Sequence, residues 1–521
     1  MKNNQRKIGA ILSYVTIIAN TLIQLLYTPF LIRKLGQGEY GLFSLVSSII
    51  GYLTVLDMGF GNAIVVHSTK YRATGDIRKE QKLYGMFHAI YVAIGIIAGI
   101  SGLILSLNTG TIFSENLNAD ELSKMQIMLM ILSFNLFLTF GFSIYSSIIT
   151  SHERFVFQKL LATINTLAKP LLMIPLLFLG FKSIALCVVI TIVNVVILLS
   201  NYFYCAKRLK IKIKFLGFDK KLFGEIFAYS FFVFLGVVAD KVNWSADQFI
   251  LGMFCGTVAV SVYSTASTLN MLFINLSTAI SGVLLPKMSK MIAKKASMEE
   301  ISNEFIKVGR IQYYIVFLMA SGLVLVGKEF IRIWVGAEFD ESYYVALLLI
   351  LPLCIPLIQN LGLSIMQAMN KFKFRTIMMC IMSVFNIVAS IFLAQWKGAT
   401  GTAIGTAGSL LICNVIVMNI YYSRIIKLDI LRFWKNILSM TIRFILPLAA
   451  ILVFQYFTSF SGKTSLVVYG GAYVVLFGAT SYFLCANDYE KSIICSVGNK
   501  IGSLARRVAD KQRFEKKMSR R

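Results

Sequence analysis

Fourteen long apolar stretches punctuate the chain, at residues 8–32, 40–66, 83–106, 125–150, 157–180, 183–206, 223–250, 257–286, 311–335, 343–369, 374–396, 400–423, 440–459 and 465–485. A helix needs about 20 mostly apolar residues to cross a bilayer, and in hydrocarbon the backbone must satisfy its own hydrogen bonds, so each stretch predicts a spanning helix. The breaks between them are short. The longest interior ones, near 107–124, 207–222 and 287–310, leave no room for a separate soluble domain. The first stretch follows Lys2, Arg6 and Lys7. It is too long for a signal-peptide core and lacks a small-residue cleavage site, so it predicts a retained first span. The fold class expected is an all-α polytopic membrane protein with fourteen transmembrane helices.

The pattern also repeats. A shift of about 220 residues sets Phe30, Leu31, Gly36, Phe43, Ser44 and Ser47 on Ile250, Leu251, Gly256, Tyr263, Ser264 and Ser267. Each segment holds the end of one span, a glycine-bearing turn and the start of the next. Two pseudo-symmetric six-helix lobes are therefore expected, an N-lobe over 1–210 (spans 1–6) and a C-lobe over 211–430 (spans 7–12). Spans 13 and 14 follow over 431–486, and a basic tail over 487–521. Six is an even number, so both lobes start on the same side and the repeat is parallel, about an axis along the membrane normal.

Composition removes the soluble alternatives. Of 521 residues, 57% are apolar and only 14% charged, against about a quarter charged in soluble proteins. The net charge of +27 does not point to nucleic acid, because the cations sit in short segments between apolar runs. With both termini placed in the cytoplasm, 40 of the 51 Lys and Arg fall on that side, 8 on the other and 3 within spans. That asymmetry is a positive-inside signal, and it fixes an even number of spans. The eight cysteines are scattered, with no metal-ligand spacing, and read as small buried hydrophobes.

Candidate chemistry lies in the polar groups inside spans, which are expensive there and face protein or water. Ser13, Thr16, Asn20, Gln24 and Thr28 recur every three or four residues and form one stripe on the first span; Gly236, Asp240, Asn243 and Asp247 do so on the seventh. The 220-residue register sets Asn20 on Asp240. Both stripes are read as facing one central cavity, the alternative being hydrogen bonding between helices within each half. For Asp240 and Asp247 the cavity is the favoured reading. Lys169, before Pro170, and Lys241 are candidate counter-ions for an anionic substrate; the alternative is pairing of Lys169 with Asp57 and of Lys241 with Asp240. Arg33 ends the first span, either snorkelling to the interface or standing at a cavity mouth. The substrate-binding candidates are thus Lys169, Lys241, Arg33, Asn20, Gln24 and Asn243. Asp57, Asp240 and Asp247 are the candidates for ion coupling. Gly462-Lys463-Thr464 lacks the first glycine of a phosphate-binding loop, and His67, His88 and His152 lie at or near span ends with no catalytic or metal set. No catalytic residue, metal site or cofactor is expected beyond Na⁺ or H⁺ coupling.

The turn Leu35-Gly36-Gln37-Gly38-Glu39-Tyr40-Gly41-Leu42 resembles one that follows the first span of polysaccharide-biosynthesis flippases. Leu56-Asp57-Met58-Gly59-Phe60-Gly61-Asn62-Ala63 resembles the second-span signature of that family, and Asp247-Gln248-Phe249-Ile250-Leu251-Gly252 with Tyr263, Ser264 and Ala266 its second-half counterpart. The resemblance is to Wzx-type lipid-linked oligosaccharide flippases, within the multidrug/oligosaccharidyl-lipid/polysaccharide exporter superfamily, and it extends over essentially the whole chain.

The resemblance implies a non-enzymatic flippase. It would carry a polyprenyl-pyrophosphate-linked repeat unit across the bacterial inner membrane by alternating access, for O-antigen, capsule or exopolysaccharide assembly. Membrane lipids, a polysaccharide polymerase and a chain-length regulator are the implied partners, and nucleic acid is not one. Relatives carry several cavity arginines where this chain has mainly Lys169 and Lys241. Two rival readings remain at this stage. One is an ion-coupled multidrug antiporter of the same superfamily. The other is a membrane-embedded sugar polymerase or glycosyltransferase, against which the short 107–124 loop argues.

Overall fold

A computed structural model describes residues 2–492 except 212, 216, 282–284, 370 and 372. The side chain of Ser13 and the tail beyond 492 lie outside what is described. In chain order the helices are α1 (Lys2–Leu35), α2 (Gln37–Leu53), α3 (Phe60–Ala73), α4 (Ile77–Leu107), α5 (Thr109–Phe113), α6 (Ala119–Ser151), α7 (Phe155–Phe178), α8 (Ser183–Phe203) and α9 (Lys220–Phe254). There follow α10 (Gly256–Ser281), α11 (Leu285–Ala293), α12 (Met298–Trp334), α13 (Asp340–Ile358), α14 (Leu361–Ala368), α15 (Lys373–Leu410), α16 (Met418–Tyr421), α17 (Ile430–Phe457) and α18 (Gly462–Thr480). No strand occurs among the described residues. The chain is an all-helical, multi-pass membrane protein.

Each of the fourteen apolar stretches is mostly helical over its described residues, and eleven helical segments among the described residues are long and apolar enough to cross a membrane. That number takes 373–426 as one segment, although Lys397 and Gly398 leave helical dihedrals inside it, between the two spans predicted there. The striped helices α1 and α9 are not among the eleven.

The second span is not the continuous helix that its apolar pattern predicts. After α2, Thr54–Asp57 tighten into a 3₁₀ turn, and Met58 (φ +50°) and Gly59 (φ +70°) are both left-handed. A helix cannot run through two such residues. The left-handed pair falls inside the Leu56-to-Ala63 motif and so within the apolar stretch 40–66.

The chain divides into two compact units. The first comprises residues 1–272, 334–353 and 371–418, and both predicted lobes contribute to it. Here α3, α4 and α6 enclose a core that includes Phe60, Phe87, Tyr91, Phe140 and Ile144. Helices α1 and α7 run parallel, as two contacts in step show: Thr16 Oγ1 to Thr163 Oγ1 at 2.8 Å, and the Phe30 and Phe178 rings at 5.7 Å. Helix α9 lies on α15 in the same relation. Asn243 Nδ2 donates to Ser383 Oγ at 2.8 Å, and Ser383 Oγ donates to the Ala239 carbonyl at 3.2 Å. Thr163 and Ser383 are 220 residues apart, so the repeat extends from sequence into helix pairing.

The repeated turns match as well. Gly36 (φ +82°) ends α1 and Gly256 (φ +78°) ends α9. Only glycine enters that region without a Cβ penalty, which explains why the same residue stands at both.

Between the halves, α2 packs antiparallel on α9 and the start of α10. A Cβ at Gly41 would run into the Thr257 carbonyl, and one at Gly252 would meet Leu45. Ser48 Oγ donates to the Ser245 carbonyl at 3.0 Å, and Gly51 lies against Lys241. Small residues along this seam let two backbones approach closely, as they do where membrane helices pack.

The second unit comprises residues 273–333, 354–370 and 419 onward. Helices α17 and α18 pack on α12 through the Phe317, Phe444 and Phe477 rings, with Phe444 and Phe477 4.4 Å apart. Gln455 Nε2 reaches the Leu325 carbonyl at 3.2 Å. At one end of the unit Arg310 forms a two-pronged pair with Glu490, at 2.7 and 2.8 Å.

Candidate functional site

The candidate residues of the first unit separate into three places. The first surrounds Asp247. The α9 stripe was read as opening onto a cavity, but Asp247 is only 1% exposed; the cavity reading of this residue is corrected. Its environment is made by three other helical segments. Tyr263 on α10 donates its hydroxyl to Oδ2; Thr406 on α15 donates to Oδ2 at 2.5 Å, and Ser390 on α15 to Oδ1 at 2.8 Å. Asn386, one turn before Ser390, turns its Oδ1 toward Ser390 and Thr406 at 3.4 and 3.3 Å. Its Nδ2 is buried without a partner. No lysine or arginine pairs with Asp247 among the described residues. A buried carboxylate whose only neighbours are hydroxyls and an amide is held by hydrogen bonds alone. Chemically it is an oxygen-rich cage, suited to a proton or a small hard cation.

The second place is the pair of lysines. Lys169 and Lys241 are half-buried, and neither has an ion-pair partner among the described residues. The Lys169–Asp57 and Lys241–Asp240 pairs do not form. Lys241 instead lays its ammonium over Gly51, where a Cβ would stand 2.7 Å from Nζ. Asp57 lies at the break of the second span, with the Tyr91 hydroxyl beside it. Lys169 stands on α7 just before Pro170, a residue that cannot donate to the carbonyl four positions back and so frees the Thr166 oxygen one turn away. On α1 and α7, Gln24 Oε1, Tyr27 Oη and Asn165 Oδ1 are buried without partners. Asn20 and Asp240, equivalent in the repeat, are both exposed. Thr16 and Asn243 are spent between helices, as the alternative reading of the stripes has it.

The third place lies at the end that carries the Gly36 and Gly256 turns, where the halves are latched mostly through side chain to backbone. Pro29 inside α1 frees the Leu25 carbonyl, and the Trp334 indole N–H fills it at 2.7 Å. Arg33, expected at the interface or a cavity mouth, donates to the Trp334 carbonyl at 3.3 Å. Gln37 Nε2 reaches the Glu338 carbonyl at 2.8 Å, Asn116 Nδ2 the Met253 carbonyl at 2.6 Å, and Thr257 Oγ1 the Glu121 carboxylate at 2.7 Å.

The polysaccharide biosynthesis protein family matches residues 7–292, more than half of the chain. The chain belongs to the polysaccharide biosynthesis protein family. Among curated relatives, the Shigella flexneri protein named "Putative O-antigen transporter" is 21% identical over 407 residues, 77% of this chain and 94% of that one. The Bacillus subtilis "Uncharacterized membrane protein EpsK" is 21% identical over 487 residues, 90% and 93% of the two chains. Among solved structures, the lipid II flippase MurJ in an inward closed conformation superposes with a TM-score of 0.69 at 17% identity, covering 91% of this chain and 98% of its own. An inward-facing multidrug resistance MATE transporter gives 0.63 at 12% identity, with 77% and 96% covered. This member of the family has the fold of those transporters. The two solved structures are of a flippase and a transporter, the Shigella relative is named as a putative transporter, and the Bacillus one as an uncharacterized membrane protein.

Sequence reasoning singled out Asp247 but not its cage. The i, i+4 spacing of Asn386 and Ser390 inside an apolar span was the available signal. No local signal marks Trp334 or Gln37, because their acceptors are backbone carbonyls far along the chain.

Proposed function

We propose that this chain is a flippase that moves a polyprenyl-pyrophosphate-linked oligosaccharide repeat unit across the bacterial inner membrane by alternating access. The observation that carries this reading is a pair of half-buried lysines, Lys169 and Lys241, that have no ion-pair partner among the described residues, inside the spans of a polysaccharide biosynthesis family member. An unpaired cation away from water is costly unless an anion meets it. A pyrophosphate is such an anion, and charge-assisted contacts hold it well. The partnerless oxygens of Gln24, Tyr27 and Asn165 suit sugar hydroxyls. The names of the Shigella relative and of the structurally similar lipid II flippase support the same class of cargo. Serving surface polysaccharide assembly, the flippase would hand its cargo to a polymerase and chain-length regulator.

The 40-to-8 charge asymmetry supports cytoplasmic termini. The latched end is then periplasmic, and the conformation one that is closed outward. Fourteen spans in two six-helix lobes plus two remain the topology we favour. The Asp247 cage would supply the coupling, gaining and losing H⁺ or Na⁺ as the halves rearrange.

Lipid-linked oligosaccharide labelled in one leaflet of reconstituted vesicles, and probed in the other, tests the reading. Lys169→Ala and Lys241→Ala are each expected to slow its appearance about tenfold, the scale of one charge-assisted contact. Wild-type rates in both variants would remove the anion site.

A further inference from the structure

The second unit holds a basic cleft that the flippase reading does not use. It has a volume of about 700 Å³ and lies where α12, α17 and the segment after α18 meet. Four cations line it, Lys307, Arg310, Arg432 and Arg443. No Asp or Glu is among the residues that line it, and the adjoining Glu490 is committed to Arg310 and to the Tyr314 hydroxyl at 3.0 Å. Among the described residues no acid pairs with the other three.

Those three are nevertheless held in place, each by a neutral group. The Lys307 ammonium sits 3.5 Å above the Tyr489 ring. Arg432 donates one Nη1 bond to Asn303 at 2.9 Å, and Arg443 one to the Leu484 carbonyl at 2.5 Å. A guanidinium has five N–H donors, so most of theirs remain unspent. Pre-oriented cations with spare donors around a concavity form a receptor for a phosphate.

The surroundings say what carries the phosphate. Arg443 stands thirteen residues into α17, about 20 Å along the helix axis at 1.5 Å per residue. Its neighbours Ile442 and Leu446 on α17, and Phe483 and Leu484 beyond α18, are exposed and apolar. A free phosphate has no use for such a collar, whereas acyl chains do. Loop charge sets Lys307, Arg310 and Arg432 on the cytoplasmic side, where basic pockets between membrane helices hold anionic head groups.

We propose that this cleft binds the phosphodiester head group of an anionic phospholipid drawn from the surrounding bilayer. The site is built from α12, α17 and the segment after α18, none of which carries Lys169 or Lys241. Lipid binding is read without any flipping assay, so failure here and failure of the flippase reading are told apart.

The test uses the full chain in zwitterionic detergent micelles, titrated with phosphatidylglycerol, phosphatidylcholine, polyprenyl phosphate or inorganic pyrophosphate. Lipid adducts are counted by native mass spectrometry, and the melting temperature is followed in parallel. Wild type is expected to retain phosphatidylglycerol and gain thermal stability over phosphatidylcholine. The Lys307→Gln/Arg443→Gln double variant should bind it about ten- to thirtyfold more weakly, the loss of two cations near an anionic head group. Arg310 is left intact because its pair with Glu490 is structural. If the double variant fails to fold, Lys307→Gln alone, together with the salt dependence of wild-type binding, gives the same reading. Equal retention of both phospholipids, undiminished binding in the variants, or a preference for polyprenyl phosphate or pyrophosphate would overturn the proposal.

Discussion

Asp247 shows how much one residue's meaning depends on its neighbours. In sequence it is one member of a polar stripe. In space it accepts from Tyr263, Ser390 and Thr406 and, among the described residues, pairs with no cation. Asp247→Asn keeps the shape and removes the titrating charge. It is expected to fold normally yet lose the dependence of flipping on a Na⁺ or pH gradient, measured in reconstituted vesicles; an unchanged ion dependence would remove Asp247 from the coupling. Asp247→Leu should instead lower stability. Ser390 and Thr406 can turn to Asn386, but the Tyr263 hydroxyl is left without its acceptor, at a cost of about 1–3 kcal/mol readable by thermal unfolding in detergent. Glu490 sets a second residue-scale expectation. Burial raises its pKa, but the Arg310 guanidinium, the Asn487 N–H and Tyr314 outweigh this and hold it below the ordinary glutamate range. A carboxyl lowered by folding stabilises at pH values above its unfolded pKa, and that contribution disappears as pH falls through the lowered value. The melting temperature should therefore drop on acidification below about pH 4.5, and Glu490→Gln should flatten that part of the profile. An equal slope in the variant would show that Glu490 does not contribute.

At the scale of elements, the helices follow from the apolar runs, and their ends follow from a few residues. Gly36 combines φ +82° with ψ 167°, a region that residues with a Cβ hardly enter, so Gly36→Ala should cost about 1–3 kcal/mol. Gly256→Ala should cost more. A Cβ at Gly36 meets nothing within 4 Å, while one at Gly256 comes within 2.9 Å of the Asn116 carbonyl. Melting temperatures of the two variants check the order, and a milder effect at Gly256 would contradict the packing described for that turn. The break in the second span was less legible. Gly59 and Gly61 hinted at it, but apolar residues on both sides read as one helix. The left-handed conformation of Met58 is one that no local pattern there records. Pro29 is the opposite case. Its missing N–H was plain in the sequence, yet that Trp334 would take up the freed carbonyl was not.

For the whole molecule, the charge asymmetry gives a topology that can be tested. In a background without native cysteines, a cysteine at Lys463 should react with a membrane-impermeant thiol reagent in intact cells. One at Lys427 should react only after the cells are opened. The reverse pattern would invert the orientation and move the latched end to the cytoplasm. The repeat was legible as a 220-residue register, and it reappears in the matching Gly36 and Gly256 turns and in the matched positions of Thr163 and Ser383.

By itself the sequence determined that this chain is a bundle of membrane helices and that it carries a 220-residue repeat. Each of these depends on interactions with solvent or lipid, or between near neighbours, and such interactions are written in the order of residues. The tertiary structure alone decided that Asp247 is caged rather than open, that Lys169 and Lys241 have no ion-pair partner among the described residues, and which backbone carbonyls latch the halves. Those outcomes depend largely on contacts between residues more than a hundred positions apart, such as Asp247 with Ser390 and Thr406, and on carbonyl oxygens that every residue possesses and no sequence pattern can mark.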